Sequence, residues 1–136
     1  MDWRALVAVG FGGGVGSVMR YLVTLAVMQR TGPGFPWATL GINLVGSFAI
    51  GIVAELAIAR ATGLSPVMRL FLMTGILGGF TTFSAFSLDL VILMGDRAEM
   101  AALVYAAVSV LGGFIAAYFG IALVRALASS AAGFTT

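Results

Sequence analysis

The stretch Gly78-Gly79-Phe80-Thr81-Thr82-Phe83-Ser84-Ala85-Phe86-Ser87 combines two adjacent glycines, four hydroxyl side chains and three phenylalanines. It lies within a segment otherwise apolar enough to cross a membrane. Inside hydrocarbon every backbone N–H and C=O must find a partner, and each one left alone costs several kcal/mol. A glycine-and-hydroxyl break at that depth persists only where it is buried in protein, binds an ion or lines a wet cavity. The chemistry this points to is ion handling. Phe83 and Phe86 stand three apart and share a helical face, with Phe80 three residues before them. Lipid-facing rings are the ordinary case in a membrane helix, but beside hydroxyls and a break they also suit a lumen. An aromatic ring is negative on its face and positive on its edge. Edge-on rings can therefore line a path for a small anion without holding it as tightly as lysines would.

Other polar residues fall at helical spacing. Asn43, Ser47 and Gly51 form one stripe. Asn43 has two readings: a hydrogen bond to a neighbouring helix, worth about 0.6–2 kcal/mol, or amide donors presented to an anion. Taken alone it favours the first. Tyr105, Ser109 and Gly112/Gly113 repeat the pattern in the last apolar segment. Tyr105 serves either as an interfacial anchor or as a hydroxyl aimed at a pore. Arg20 falls inside the first apolar segment, where a central charge costs about 2.5–3.5 kcal/mol. Either its side chain reaches the interface, or it stands at the foot of an aqueous vestibule and concentrates anions. Glu55 and Asp89 lie towards segment ends and make poor central proton carriers.

Four apolar segments must position these groups: roughly 5–28, 38–59, 67–94 and 100–124. Each exceeds or approximates the 20 or so helical residues that a hydrocarbon core of about 30 Å requires. The fold expected is an all-α membrane protein with four transmembrane helices and a break in the third. One domain should cover 1–128, and the small, polar residues of 129–136 should fray. The first segment resembles a signal peptide in length, but it runs through Arg20-Tyr21 without a small-residue cleavage site and reads as retained.

Composition supports the same class. Of 136 residues 61% are hydrophobic and only 9% charged, against about 25% charged in a soluble domain. Lipid is thus the solvent for most of the surface. With no cysteine and no histidine, disulfides, thiolate or imidazole metal sites and the commonest general base are all excluded. A net charge of +2 is too small and too scattered for nucleic acid.

Glycines four apart (Gly10 and Gly14, Gly12 and Gly16, Gly75 and Gly79) and the series Gly112, Ala116, Gly120 form small-residue faces along which membrane helices approach closely. Four short helices shelter little polar surface alone, so an oligomer is expected. With the N-terminus cytoplasmic, Arg4, Arg60, Arg69 and Arg125 would face Arg30 and Arg97 across the membrane. This bias is weak under the positive-inside rule. It fits both an ordinary N-in, C-in chain and one that inserts both ways.

With these residues placed, the chain resembles the Fluc (CrcB) family of fluoride channels over essentially its whole length. Four matches carry the resemblance: Gly12 to Tyr21, reading Gly-Gly-Gly-Val-Gly-Ser-Val-Met-Arg-Tyr; Thr39-Leu-Gly-Ile-Asn-Leu-Val-Gly-Ser-Phe48; Gly78 to Phe86; and Tyr105 with Ser109. The resemblance implies passive fluoride export through an antiparallel, dual-topology homodimer in a bacterial-type inner (plasma) membrane. It implies two pores between the subunits and a structural sodium ion on the two-fold axis, held by backbone carbonyls of Gly78 and Thr81. Residue by residue, Asn43, Phe83 and Phe86 would line the fluoride path. Thr39, Thr82, Ser84, Tyr105 and Ser109 would supply or support hydroxyl contacts, with Arg20 near a pore mouth. Four positions depart from the commoner family pattern. Ala85 stands for a frequent threonine, Asp89 for glutamate and Ser17 for alanine, and Gly113 falls where a second hydroxyl can occur.

Rival functions fit less well. A small multidrug transporter needs a membrane-embedded carboxylate in its first helix, and this chain has no acid there after Asp2. A structural subunit would explain the glycine faces but not the phenylalanines and hydroxyls at the break. For a membrane enzyme no nucleophile–base set is present.

Overall fold

A computed structural model describes residues 2–58 and 64–133, with side chains described as far as residue 130. Arg60, one of the arginines in the topology comparison, and residues 134–136 of the expected tail lie outside the described residues. Among those described the protein is entirely helical. Helix α1 (Trp3–Thr31) starts at Asp2, whose side chain accepts the Arg4 N–H. It ends at Gly32, where φ is 71°, a conformation that glycine adopts without a Cβ penalty. Helix α2 spans Trp37–Ile58. The third span, Pro66–Gly95, is composite. Helix α3 (Pro66–Arg69) is capped by Ser65, and wider π-helical turns follow over Leu70–Leu77. Then come α4 (Gly78–Phe80) and α5 (Phe83–Gly95). Helix α6 runs from Glu99 to Gly133 and so takes in the first part of the segment expected to fray.

The helices Trp3–Thr31, Trp37–Ile58, Pro66–Gly95 and Glu99–Ser130 are long and apolar enough to cross a membrane. Each outlasts the apolar segment that marks it in the sequence, apart from the C-terminal end of α2. Large apolar side chains such as Phe114, Ile58 and Met100 are more than 70% exposed, as expected of surface that meets lipid rather than water.

Backbone contact sets the packing. A Cβ on Gly16 would collide with the Ile76 carbonyl oxygen, and one on Gly12 would lie 2.7 Å from the Phe71 carbonyl oxygen. Gly79 would meet Gly13 in the same way, at 2.5 Å. Helix α1 and the third span thus touch main chain to main chain. Helices α2 and α6 do likewise, with Gly51 against Ala117 and Gly120 against Phe48. Gly10 and Gly14 meet nothing within 4 Å in this chain. A second device joins α2 to α6: Arg125 Nε and Nη2 both lie 3.0 Å from the Glu55 carboxylate. That bidentate pair accounts for the burial of Glu55 near the end of its helix. A small core of Leu40, Phe86, Leu93, Ala102 and Tyr105 closes the opposite end of the bundle.

Candidate functional site

The site is organised by Thr81 and Thr82, whose backbones are extended (φ −80°, ψ 160° and φ −155°, ψ 120°) between α4 and α5. Leaving the helix frees backbone groups, and side chains take them up. Thr82 N–H donates to Asn43 Oδ1 at 2.9 Å, while Asn43 Nδ2 donates to the Thr82 carbonyl at 3.1 Å. The side-chain amide of α2 thus replaces the main chain as partner on both sides of one residue. Thr82 Oγ1 in turn accepts the Ala85 N–H at 3.2 Å and caps α5. Thr81 N–H and Oγ1 both donate to the Leu77 carbonyl at 2.9 Å. Gly46 makes room for this turn, since a Cβ there would overlap Thr81 Cγ2.

The carbonyls of Gly78 and Thr81 lose their usual helical donors as a result. The amide four residues beyond Gly78 belongs to Thr82 and is bound to Asn43. The one four beyond Thr81 belongs to Ala85 and is bound to Thr82 Oγ1. Both residues line one open groove. Neutral carbonyl oxygens freed in this way suit a hard cation such as sodium, so these residues fit the ion that the resemblance implies.

That groove encloses about 430 Å³. Asn43, Ser47, Thr82, Phe83, Phe86 and Ser109 line it, with glycine and aliphatic side chains between them. Since Asn43 Oδ1 is fixed by the Thr82 N–H, its Nδ2 orientation is fixed too. One Nδ2 hydrogen reaches the Thr82 carbonyl, and the second remains available on the groove wall. Ser109 Oγ is buried and has no hydrogen-bond partner. Phe83 is 78% exposed on the open side, and its ring lies 5.6 Å from that of Phe86. Ser84 Oγ is 3.2 Å from Thr82 Oγ1.

On the other side of Thr82 lies a second cavity of about 440 Å³, lined by Arg20, Thr24, Thr39, Thr82, Ala85 and Asp89 among others. Thr82 is common to both walls. Between them the two cavities are lined by hydroxyls, an amide, a guanidinium and aromatic rings within an apolar bundle. Such a set can exchange hydrogen bonds with a small anion.

The sequence-derived residues divide accordingly. Asn43, Thr82, Phe83, Phe86 and Ser109 come together in the groove, whereas Arg20 and Thr39 belong to the second cavity. Tyr105 lines neither. It is fully buried, and its hydroxyl donates to Asp89 Oδ2 at 3.0 Å. Phe80 is buried beside Gly46 and Thr81 and does not continue the Phe83–Phe86 face. Sequence reasoning missed Thr24, the Asn43–Thr82 clasp and the pairing of Tyr105 with Asp89. Helical spacing offers no signal for the two pairs, whose members stand 39 and 16 residues apart on different helices.

The family profile described as "CrcB-like protein, Camphor Resistance (CrcB)" matches residues 7–121. A "Fluoride-specific ion channel FluC" of Rhizobium meliloti (strain 1021) is 52% identical over 122 residues, covering 90% of this chain and 97% of the relative. A protein of the same name from Agrobacterium fabrum (strain C58 / ATCC 33970) is 51% identical over 123 residues, covering 90% and 96%. With four membrane-spanning helices and a profile match over most of its length, the chain belongs to the CrcB family.

Proposed function

We propose that this protein is a fluoride-selective channel of the plasma membrane, which passively releases fluoride and so lowers its cytoplasmic level. Relatives at about half identity carry the name of a fluoride-specific ion channel, a non-enzymatic function. The observation that carries the reading is the Asn43 amide, held by Thr82 with one N–H left on a groove wall beside Phe83, Phe86 and the unpartnered Ser109 hydroxyl. Fluoride is small and strongly hydrated. A selective path must replace water's hydrogen bonds with donors yet hold the ion weakly enough to let it leave. Amide, hydroxyls and ring edges do this without a lysine or arginine side chain in the groove.

The working unit is an antiparallel homodimer of the 1–128 domain embedded in lipid. Its support is the open groove, with Phe83 and Ser84 exposed on a face that an inverted copy would cover. Gly78 and Thr81 carbonyls of both copies would hold a sodium ion on the symmetry axis. When bound, the ion supplies a fixed positive charge that ties those carbonyls together. Thr39, Thr82, Ser84 and Ser109 provide hydroxyls along the way. Arg20 draws anions to the mouth, and Tyr105 supports the path from behind.

Fluoride and chloride efflux from liposomes containing the purified protein, followed with ion-selective electrodes, tests the channel. Rapid voltage-driven fluoride release with negligible chloride release is expected; no fluoride release from verified dimers overturns it. Combining Phe83→Ile with Phe86→Ile should slow fluoride at least tenfold while the dimer persists. Full-rate transport by that variant would take the rings out of the path. Single cysteines at the two termini, probed with an impermeant thiol reagent, should each label from both sides of the membrane. Labelling from one side only removes dual topology.

A further inference from the structure

A third cavity, about 210 Å³, lies beneath the connection between α1 and α2 and shares Thr24, Thr39 and Asp89 with the Arg20 cavity. Phe35 and Trp37 form part of its wall. The connection itself is closely specified. Gly32 takes its positive φ while its N–H donates to the Met28 carbonyl at 3.0 Å. Prolines stand at 33 and 36, and the Trp37 N–H donates to the Phe35 carbonyl at 2.8 Å. Proline fixes φ and glycine relieves it, so Phe35 is presented from a short, stiff turn.

From that turn the aromatic rings run in unbroken series to the groove. Centroid distances are 4.5 Å from Trp37 to Phe35, 5.6 Å from Phe35 to Tyr105, 5.3 Å from Tyr105 to Phe86 and 5.6 Å from Phe86 to Phe83. Phe35 meets Tyr105 edge to face at 81°, a favoured aromatic geometry. The hydroxyl of Tyr105 donates to Asp89 Oδ2 and also interacts with the Thr39 side chain; both contacts hold the end of the ring on its long axis, about which the ring can still turn. Phe35 on one side and Phe86 on the other bear on that plane, within a core that also holds Leu40, Leu93 and Ala102. Phe86 thus rests against a ring whose tilt is set outside the groove.

We infer that Phe35 is a positioning residue for anion passage: through Tyr105 it fixes the orientation of Phe86 on the groove wall. The inference rests on the channel reading, and its test includes a readout independent of transport. Phe35→Ala and Phe35→Trp are compared with the unmodified protein in two measurements. In the first, 4-fluorophenylalanine is placed at position 86 and its ¹⁹F resonance recorded in micelles, with dimer content checked by gel filtration. Phe35→Ala should shift or broaden that resonance, and Phe35→Trp should restore it towards the unmodified position. In the second, fluoride efflux should fall about tenfold in Phe35→Ala. It should fall no further when Phe35→Ala is added to Phe86→Ile, because the ring being positioned is then absent.

An unchanged ¹⁹F resonance in Phe35→Ala, or a full additional loss on the Phe86→Ile background, overturns the inference. If the resonance moves as expected but the unmodified protein releases no fluoride, Phe35 still positions Phe86 and it is the channel reading that fails. A Phe35→Ala chain that does not assemble is replaced by Phe35→Leu, which keeps bulk but removes the ring; the same shift and loss are expected of it, and their absence overturns the inference.

Discussion

Asn43→Asp should slow fluoride efflux at least about a hundredfold while leaving a folded dimer. Asn43 uses its carbonyl oxygen to accept the Thr82 N–H and its amide nitrogen to donate to the Thr82 carbonyl. Aspartate keeps the acceptor, so the Thr82 N–H stays paired. It loses the donor, so the Thr82 carbonyl alone goes without its partner, and it sets a negative charge on the groove wall. At an effective dielectric of about 20, two unit charges about 4 Å apart oppose each other by roughly 4 kcal/mol, and every 1.4 kcal/mol is a factor of ten. Water in the groove screens part of this, which sets the expected loss nearer two decades than three. Asn43→Leu provides the contrast. It adds no charge but leaves both backbone groups of Thr82 without partners in an apolar bundle, at several kcal/mol each. The leucine variant should therefore lose folded dimer, measured by gel filtration, where the aspartate variant loses flux. Efflux within threefold of normal in Asn43→Asp would reduce the Asn43 amide to a structural clasp.

Gly16→Ala should be the most damaging single methyl that α1 can receive. Its Cβ would collide with the Ile76 carbonyl oxygen and lie 2.8 Å from the Phe80 nitrogen. Neither is a side chain that can rotate away, so the helices must part. Overpacking typically costs about 1–3 kcal/mol, and a backbone obstacle puts this case at or beyond the upper figure. Gly95→Ala is the control, because nothing lies within 4 Å of the added methyl. There the helix preference for alanine, worth up to about 1 kcal/mol, should leave stability unchanged or raised. Thermal unfolding in detergent should separate the two clearly. Equal midpoints would mean that α1 does not approach the third span as closely as these atoms require.

The contrast between glycines shows what the chain discloses and what it withholds. Spacing gives Gly10 and Gly14 the same standing as Gly12 and Gly16, yet only the second pair meets another backbone here. Which face of a uniformly apolar helix turns inward depends on its neighbours, and α1 carries too little polar contrast to say. The four spans were legible because long apolar runs have few alternative fates. The Asn43 stripe was legible as well, through its helical spacing, but not the partner of Asn43. Its bond to Thr82 joins residues 39 apart and depends on how two helices cross. Tyr105 illustrates the same limit: hydroxyl spacing placed it on one face with Ser109, while the core of Leu40, Phe86, Leu93 and Ala102, with Phe35 packed against it, encloses it fully. Nothing in Leu70–Leu77 distinguished π-helical turns from ordinary ones, since both bury the same apolar side chains.

Those wider turns act as a store of chain. The Gly78 N–H reaches back five residues to the Met73 carbonyl, so the stretch accommodates more chain per turn than an α-helix of the same height. Deleting one residue from it would allow ordinary α-helical pairing. The wide turns already hold that residue as slack, so the chain beyond Leu77 would turn by less than the roughly 100° that the same deletion imposes on a regular α-helix. Thr82 should then stay near Asn43, and Phe86 near Tyr105. The length of chain between the Ser65 cap and Thr82 is thus cushioned in 70–77, although no individual side chain there reveals it.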